Sequence, residues 1–418
     1  MLILCESDCI KTLHCAIRSC RLLHDAFSSG PLLIANRVVA GQLSLGDAHP
    51  EAIALLRASQ LPEITLKSLQ LFYKDHFRER NTESIIMSLT FDQAATVSRL
   101  HSVITRMTED FARTRYQDPP CARREDGDTA HFLEPSRAEK LRVIRALYII
   151  EIFFTLFREI SLWIEDMVQR AENERAMLHL FKSFAHWEVE QIACAHDFLF
   201  TRVSPAFNDM AEHDVGWGAS KVVPAQWVGS WPLQSFLFKG LVAIEKLAET
   251  KTYGERYKLF DHGQIPARRA HTLFSALYKN RNNIPGENLG SGLESPQSYA
   301  STFKSPFFDD PDDGAFTAWK WAFGGIYREN RGTLHKWGFL MWDRARLGTL
   351  SSLMTLEDIR GQSESWEPWK VRRFSQDDPV GEVEEETWAS SWEKRAAIRE
   401  RGGRGWWDFG NESNIVWT

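Results

Sequence analysis

The stretch SRAEKLRVIRALYIIEIFFTLFREISLWIEDM, residues 136–167, carries the longest dense apolar pattern in a chain of 418 residues. Ser136 with Glu139 forms a capping box, which is typical of a helix start. Apolar residues then recur at steps of three and four, so we predict a buried central helix over residues 143–167 that continues to about Arg170. Several charged side chains interrupt the segment, and each would cost a few kcal/mol at membrane depth. The pattern therefore predicts a helix in the core of a water-soluble protein.

The same helical period continues on both sides of this segment. Thr90 with Gln93 offers a second capping box before the apolar stripe of residues 91–111. Pro62 suits a first-turn position and is followed by apolar residues at helical spacing. Further helical patterns cover residues 176–200, 233–249, 255–260 and 268–278, and we find no alternating strand of useful length. The sequence predicts an all-α fold, an irregular bundle of roughly ten helices.

Composition divides the chain into five parts. Residues 280–315 are rich in Gly, Pro, Ser and Asn without periodicity, which is typical of a long loop. Residues 361–418 hold eight Lys or Arg, twelve Asp or Glu and seven of the sixteen Trp, which indicates a peripheral charged tail with aromatic anchors. We predict a partly ordered N-terminal segment (residues 1–58) and a main helical domain (59–280). A loop or linker (281–316) follows. The chain then forms a Trp-rich helical segment packed on the main domain (317–360) and a charged C-terminal tail (361–418).

Charge and cysteine usage restrict the partners and the compartment. The formal net charge is −6 and the pI is near 6.1, so nothing draws the whole chain to nucleic acid or anionic lipid. Glu6 and Asp8 stand where a secretory signal needs an unbroken apolar run. The cysteines form no secreted disulfide framework, and the uneven spacing of the first four argues against zinc. We expect a cytoplasmic or nuclear protein that binds neither nucleic acid nor membrane.

The sharpest acidic cluster lies within residues 309–313. Asp309, Asp310 and Asp313 have the D-D-x-x-D spacing with which all-α terpenoid synthases hold magnesium and a substrate diphosphate, and carboxylate oxygens suit that ion. Pro311 interrupts the helix that would present them. The pattern favours a solvated turn without a metal, in which the carboxylates repel one another and neutralising one changes stability by no more than about 0.5 kcal/mol.

A second cluster lies in HWEVEQIACAHD, residues 186–197. Three chemically active residues spaced four and three apart share one helix face, and two histidines flank them: Glu190, Cys194, Asp197, His186 and His196. Such a set is able to ligate a metal or to pair a thiolate with a base. The histidines stand ten residues apart, unlike the H-E-x-x-H zinc motif. The aromatic residues around them favour a buried structural helix.

No complete catalytic set follows from the sequence. His213 and Asp214 resemble half of a catalytic pair, but no serine or cysteine stands in a nucleophile-elbow context, and no phosphate-binding glycine loop follows a strand. One RGG at residues 401–403 is a weak signal for RNA in an acidic tail. We predict no catalytic residue and no cofactor, although the sequence leaves open whether the protein is an enzyme.

Tryptophan is frequent, with sixteen residues. Helical spacing and apolar neighbours predict that five of them fill the core: Trp163, Trp187, Trp319, Trp337 and Trp342. Four others, in the tail, are candidate interaction residues because tryptophan is a common interface anchor: Trp388, Trp392, Trp406 and Trp407.

Five blocks of sequence carry a resemblance. They are ATVSRLH, ERAMLHLFKSFAHWEVEQIACAHDFL, AEHDVGWG, DDGAFTAWKWAF and LHKWGFLMWDRARL, at residues 95–101, 174–199, 211–218, 312–323 and 334–347. Together they resemble an uncharacterised family of helical proteins from filamentous ascomycete fungi. Some relatives carry an N-terminal F-box, to which LPEITLKSLQLF, residues 61–72, is similar. The resemblance implies a helical fold and a candidate substrate-receptor role in a cullin-type ubiquitin ligase.

Three functions are compatible with these patterns. The leading hypothesis is a non-enzymatic intracellular scaffold that binds other proteins, since no catalytic set is present and the aromatic inventory is large. The alternative is an F-box-like substrate adaptor of a ubiquitin ligase. The third is an all-α magnesium-dependent enzyme that uses the acidic cluster at residues 309–313.

Overall fold

In the computed structural model the described residues build an all-α protein, which confirms the predicted fold class. The structure describes residues 2–44, 48–78, 89–116, 134–160, 162, 165–182, 184–225, 230–282, 310, 312–323, 335, 337–351 and 383–418. Within these ranges lie eighteen α-helices, more than the sequence suggested, because several span only one or two turns. One two-stranded antiparallel ribbon is the only sheet in the described part of the chain.

The helices are α1 (Leu2–Cys5), α2 (Ile10–Ser19), α3 (Arg21–Ser28), α4 (Pro31–Ser44), α5 (His49–Ser59), α6 (Leu66–Tyr73), α7 (Phe91–Arg115), α8 (Arg137–Phe157), α9 (Met167–Phe181), α10 (His186–His213), α11 (Val215–Ala219), α12 (Trp231–Leu237), α13 (Leu241–Glu249), α14 (Tyr253–Leu259), α15 (Leu273–Asn282), α16 (Gly314–Phe323), α17 (Arg344–Ser351) and α18 (Val383–Glu400). The strands are β1 (Gly403–Gly405) and β2 (Ile415–Trp417). A π-helical turn, Lys74–Arg78, extends α6, and a 3-10 turn covers Phe339–Met341.

Helix α8 lies at the centre of the core. Its capping box forms as predicted, with Glu139 N donating to Ser136 Oγ at 3.1 Å and Ser136 N donating to Glu139 Oε2 at 3.0 Å. Phe153, Phe154 and Phe157 are fully buried, and helices α5, α7 and α10 pack on α8. Removal of these rings from water is the main source of stability at this position.

Most of the predicted core tryptophans take part in the same core. Trp319, Trp337 and Trp342 are buried, as predicted, and Trp187 is half-buried. Trp163 lies outside the described residues. The Trp-containing segment around residues 337–342 therefore packs on the main helices.

The predicted continuous helix through residue 170 is wrong beyond Phe157. The chain turns at residues 158–160, and α9 begins at Met167 behind a new N-cap, Asp166, whose Oδ1 accepts from Val168 N at 2.8 Å. Two helices in succession keep the same apolar spacing, so periodicity alone does not reveal the break between them.

Helices α1 to α5 extend the main core, and the partial order predicted for residues 1–58 stays a prediction. Ile10 N donates to Ser98 Oγ at 3.1 Å, and Asn36 Nδ2 donates to Leu89 O at 3.0 Å, so α2 and α4 are tied to α7. These helices contribute buried apolar side chains to the core: Leu4, Leu13, Ile34, Val38 and Leu43. Residues 2–44 and 48–58 are helical apart from short connections.

Residues 383–418 do not form the peripheral tail that the sequence predicted. Helix α18 lies against α11, and β1 contacts both helices. A small second cluster joins them: Val215, Ile398, Trp407 and Ile415. The high charge of α18 makes this packing hard to recognise in the sequence, because the buried side chains within residues 388–400 form one stripe: Trp388, Ser391, Arg395 and Ile398.

The other predicted domain boundaries stay predictions. The loop or linker over residues 281–316 lies outside the described residues except at 281–282, which end α15, at 310 and at 312–316, of which 314–316 belong to α16. Across the described ranges, no helix is both long enough and apolar enough to cross a membrane.

Candidate functional site

The polar cluster of α10 is organised around a histidine from a distant part of the chain. His335 Nδ1 lies 2.9 Å from Asp197 Oδ2, and His335 Nε2 lies 3.0 Å from Glu190 Oε2. Each nitrogen of the ring therefore lies within hydrogen-bond distance of a carboxylate oxygen. Cys194 Sγ donates to the His335 carbonyl oxygen at 3.2 Å. Three residues of one helix face therefore hold one histidine.

This geometry is more typical of a structural contact between distant segments than of a catalytic site. Side-chain exposure is 4% for His335 and 2% for Glu190, so the ring and this carboxylate have little access to a substrate. The thiol of Cys194 donates to a backbone carbonyl oxygen, a hydrogen bond that only the protonated thiol makes. Gln191 Nε2 also donates to Leu340 O at 2.9 Å, which ties the same downstream segment to α10.

Asp197 connects the cluster to a second histidine. Its Oδ1 lies 3.4 Å from His196 Nδ1, and His196 Nε2 lies 3.1 Å from Gln234 Oε1. Burial raises the pKa of Asp197, but hydrogen bonds from His196 and His335 outweigh burial and hold its pKa well below the ordinary value. Within the described ranges, no group of three His, Cys, Asp or Glu residues is arranged to hold a metal ion.

The sequence identified one half of this cluster. Glu190, Cys194 and Asp197 do share a face of α10, whereas His186 stacks on an indole ring of α16 with centroids 5.7 Å apart. Sequence reasoning missed His335. A histidine within an otherwise apolar block is the signal that points to such a buried partner.

The acidic cluster belongs to a second buried polar cluster, centred on Arg142 of α8. The guanidinium binds Asp310 through two hydrogen bonds, from Nε to Oδ2 at 2.7 Å and from Nη2 to Oδ1 at 3.0 Å. Its Nη1 donates to Asp343 Oδ1 at 2.7 Å and to Met341 O at 2.8 Å. Burial alone lowers the pKa of Arg142, but Asp310 and Asp343 raise it above the ordinary value.

The solvated turn predicted for residues 309–313 is wrong for two of the aspartates. Asp310 pairs with the buried Arg142, which lies 168 residues earlier in the chain. Asp312 Oδ1 accepts from Gly314 N at 2.8 Å and from Arg344 N at 2.9 Å, so this carboxylate joins the starts of α16 and α17. The Arg142 guanidinium and these backbone N–H groups offset the repulsion between the aspartates. Arg142 and Arg344 are distant in sequence, so the local pattern does not reveal them.

The remaining members of the proposed magnesium motif do not complete a site. Asp313 is exposed, and Asp309 and Pro311 lie outside the described residues. An ion at Asp310 would have to displace a bidentate guanidinium, which is the stronger kind of hydrogen-bonded pair. The geometry therefore gives the magnesium hypothesis no support.

A small cleft of about 30 Å³ lies between α8 and α10. Its charged lining includes Arg142, which is bound to aspartates, and Arg145, whose Nε lies 3.5 Å from Glu51 Oε1. Both cations already face carboxylates, so the cleft has no evident charge with which to select an anionic ligand.

The C-terminal unit, residues 383–418, is anchored by Arg395. This side chain is fully buried, and its Nη1 donates to Ala211 O at 2.7 Å and to Asp214 O at 3.2 Å, at the carboxyl end of α10 where a cation is favourable. Gly218 leaves the space for it, because a Cβ there would lie 2.1 Å from Arg395 Nε. Burial lowers the pKa of Arg395 to about 10, so the guanidinium is charged at neutral pH.

His213 and Asp214, at the end of α10, resemble half of a catalytic pair in the sequence, and in the structure they contact different partners. His213 Nδ1 lies 2.9 Å from Trp407 O. Asp214 accepts from Trp217 N and from Tyr253 Oη, each at 2.7 Å. Burial raises the pKa of Asp214 although both hydrogen bonds oppose the shift. Both residues join the main body to the elements that cover it.

The four candidate interaction tryptophans make contacts within the protein. Trp388 and Trp407 are buried, and Trp392 is half-buried. Trp406 stacks on the His213 ring with centroids 4.0 Å apart. Binding of a partner by these residues stays a prediction. The large apolar side chains that this unit does expose are different ones: Phe409, Val416 and Trp417.

A surface of another kind lies on the first helices. Fifteen large apolar side chains are exposed among the described residues, and five of these fall within residues 2–33, roughly a tenth of the described chain: Leu2, Ile3, Leu22, Leu32 and Leu33. Leu22 is 78% exposed and Leu33 is 66% exposed. Single exposed leucines are ordinary, but such a concentration is typical of a contact surface.

Basic residues accompany these leucines. Residues 2–44, which hold all five of these exposed side chains, contain four Lys or Arg and three Asp or Glu, a local charge of +1 in a chain of −6. We define the N-terminal face by its exposed side chains on α2, α3 and α4: Lys11, Arg18, Arg21, Leu22, Leu32, Leu33 and Arg37. Sequence reasoning missed this face, because PLLIAN, residues 31–36, has the composition of a buried helix.

Comparison with known proteins provides no relative for this chain. No family model matches it, and neither a curated protein nor a solved structure matches it. The resemblance to the fungal helical family therefore stays a prediction.

Proposed function

We propose that this protein is a non-enzymatic helical scaffold that binds other proteins through its N-terminal face. The observation that carries the proposal is the concentration of exposed leucines on α3 and α4, where Leu22, Leu32 and Leu33 lie on helices whose other faces are packed or polar. Removal of such side chains from water is the main favourable term in protein association. A cytoplasmic or nuclear location stays a prediction.

The internal polar clusters support the same proposal. His335 is bound by carboxylates of α10, and Arg142 by carboxylates from the downstream segment. Both groups hold the Trp-containing segment to the main helices. These histidine, arginine and carboxylate side chains thus hold distant elements together, which is what a rigid scaffold requires.

The F-box-like alternative rests on residues 61–72. Leu69 and Phe72 of this string are buried in the main core, whereas Leu66 and Leu71 are 43% and 59% exposed. An adaptor would have to bind through these two exposed leucines of α6. They provide a matched control for the N-terminal face, because the same substitution can be made at both places.

The test is affinity purification of the full chain from a native extract with quantitative mass spectrometry. We expect Leu22→Asp with Leu33→Asp to remove the copurifying proteins, because a charge at the interface centre opposes desolvation. Leu66→Asp with Leu71→Asp should retain them. All four sites are exposed, so both variants should fold, with a free energy of unfolding within about 1 kcal/mol of the parent protein.

Two results would contradict the proposal. Unchanged copurifying proteins in the Leu22/Leu33 variant would show that the N-terminal face is not the binding surface. Loss of partners in the Leu66/Leu71 variant instead, with a cullin adaptor subunit among the lost proteins, would favour the ubiquitin-ligase alternative.

A further inference from the structure

The His335 ring makes more hydrogen-bond contacts with carboxylates than a neutral imidazole has protons to supply. Its Nδ1 lies 2.9 Å from Asp197 Oδ2, and its Nε2 lies 3.0 Å from Glu190 Oε2. A nitrogen and a carboxylate oxygen at this distance need a hydrogen between them. A neutral imidazole has one N–H group, and an ionised carboxylate has none. The two contacts therefore require one proton more than a neutral ring and two ionised carboxylates contain.

The neighbouring His196 avoids this requirement. Its Nδ1 lies 3.4 Å from Asp197 Oδ1, but its Nε2 lies 3.1 Å from Oε1 of the Gln234 amide. An amide presents either an acceptor oxygen or a donor NH2 group, depending on its orientation. A neutral His196 therefore satisfies both contacts, whereas His335 has a carboxylate at each nitrogen.

Burial increases the importance of the extra proton. The side chains of His335 and Glu190 are almost fully buried. Without the proton, the lone pair of Nε2 would face an anionic oxygen, and the low polarity of the surroundings strengthens this repulsion. Burial raises the pKa of Asp197, but hydrogen bonds from His196 and His335 outweigh burial and hold this pKa well below the ordinary value. Asp197 is thus ionised at neutral pH, and the extra proton belongs to His335 and Glu190.

We infer, independently of any partner, that the His335–Glu190 pair holds this extra proton at neutral pH and releases it at alkaline pH. Its release loosens the contact of α10 with His335 and the Trp-containing segment at residues 337–342. A histidine that has left the cluster titrates near pH 6.5. The attached state binds the proton more tightly than the detached state. Attachment is therefore strongest below about pH 6.5 and weakens as the pH rises above that value.

Other ionisable groups of the described chain lie around the same cluster. Burial raises the pKa of Tyr116, at the end of α7, well above its ordinary value, so its phenol stays neutral. Burial lowers the pKa of His186, so this ring is neutral at pH 7. Arg115 of α7 acts on the cluster through its charge, and burial lowers its pKa. The titration of Arg115 and of the Cys194 thiol therefore has to be separated from that of the His335–Glu190 pair.

Two substitutions isolate this pair. Cys194→Ser keeps a donor for the His335 carbonyl oxygen but removes a thiol, a group that ordinarily titrates near pH 8.5, and this variant is the reference protein. Glu190→Gln, made in the reference protein, places an amide at Nε2. This is the arrangement that His196 already has, so a neutral His335 then satisfies both of its contacts.

Amide hydrogen exchange of the full-length proteins, followed by mass spectrometry, measures the attachment. In the reference protein we expect exchange in peptides covering residues 337–342 to accelerate about tenfold beyond the intrinsic increase between about pH 6.5 and about pH 9. Glu190→Gln should abolish this additional acceleration. The compared peptides have the same sequence in both proteins, so the intrinsic exchange rate cancels at each pH.

Two further variants of the reference protein separate the effect from a folding defect. Asp197→Asn places the amide at Nδ1 instead, so a neutral ring again satisfies both contacts and the additional acceleration should be lost. Asp209→Asn is the matched control, because it neutralises a carboxylate of the same helix that pairs with Arg256. This control should retain the acceleration.

Three results would overturn the inference. No additional acceleration in the reference protein would show that the attached state holds no extra proton. Equal acceleration in the reference protein and in Glu190→Gln would assign the response to another group, such as Arg115. Loss of the acceleration in Asp209→Asn would show that neutralising any carboxylate of α10 has this effect.

Discussion

Phe154 shows what one buried ring contributes to this fold. The side chain is fully buried, and its ring centroid lies 5.2 Å from that of Phe238. We expect Phe154→Ala to cost about 3 to 5 kcal/mol, because the lost contacts and the residual cavity both destabilise the folded state. Urea unfolding followed by circular dichroism measures this loss, with Thr155→Ala, at a half-buried neighbour, as the control. A cost below about 1 kcal/mol would place the ring outside the core.

His101 makes the stability of the protein depend on pH. Its Nδ1 lies 3.0 Å from Tyr148 Oη inside the core, and burial, aided by the charge of His49, lowers its pKa to about 4. A histidine in the unfolded chain titrates near 6.5. Below about pH 6.5 the unfolded chain takes up a proton that the folded protein excludes, so stability falls as the pH decreases toward 4 and is unaffected above about 7.

The matching variant is His101→Asn, which can keep a hydrogen bond to Tyr148 but does not titrate. At about pH 5 we expect the wild type to have lost roughly 2 kcal/mol more than the variant, relative to neutral pH. Urea unfolding of both proteins at the two pH values gives the comparison. Parallel losses in the two proteins would show that other groups cause the pH dependence.

Among the elements, the attachment of Asp310 and of residues 341–343 to α8 depends on one buried cation, Arg142. Asp310→Asn leaves Arg142 with Asp343 and Met341 O but removes its bidentate charged partner. We expect a loss of about 2 kcal/mol, since hydrogen bonds to charged groups are worth more than neutral ones.

The control for this element is Asp313→Asn, at an exposed position in the same acidic run. It should change stability by no more than about 0.5 kcal/mol. Unfolding midpoints in urea, with and without magnesium chloride, separate the two variants. A small effect at Asp310 together with magnesium-dependent stabilisation would restore the metal hypothesis.

The attachment of the C-terminal unit depends on the absence of a side chain at one glycine. A Cβ at Gly218 would lie 2.1 Å from Arg395 Nε and 2.5 Å from its Cδ, so Gly218→Ala must displace the anchor. We expect a loss of about 1 to 3 kcal/mol and faster amide hydrogen exchange in α11 and α18. Gly254→Ala is the control, because nothing lies within 4 Å of its added Cβ. Unchanged exchange in α18 would contradict the role given to Arg395.

Over the whole molecule, local signals were predictable and long-range partners were not. The capping boxes at Thr90 and Ser136 form as the sequence indicated, because each depends on residues three apart. The break before Met167 was missed because apolar spacing continues across it. The partners of Arg142 and Arg395 stand 168 and 184 residues away, so no local pattern encodes them. The candidate surface was missed because exposure, unlike periodicity, depends on what the rest of the chain covers.

The binding of Arg395 at the end of α10 also determines when this part of the protein can fold during translation. Ala211, which accepts its hydrogen bond, is made 184 residues before Arg395, a delay of about ten to forty seconds at ordinary rates of translation. Val215 is covered by Ile398, Trp407 and Ile415, which are synthesised later still. The nascent chain therefore presents the end of α10 uncovered after its main helices have been made. A chaperone that recognises apolar segments has an opportunity to bind at this junction until β1 and β2 have been synthesised.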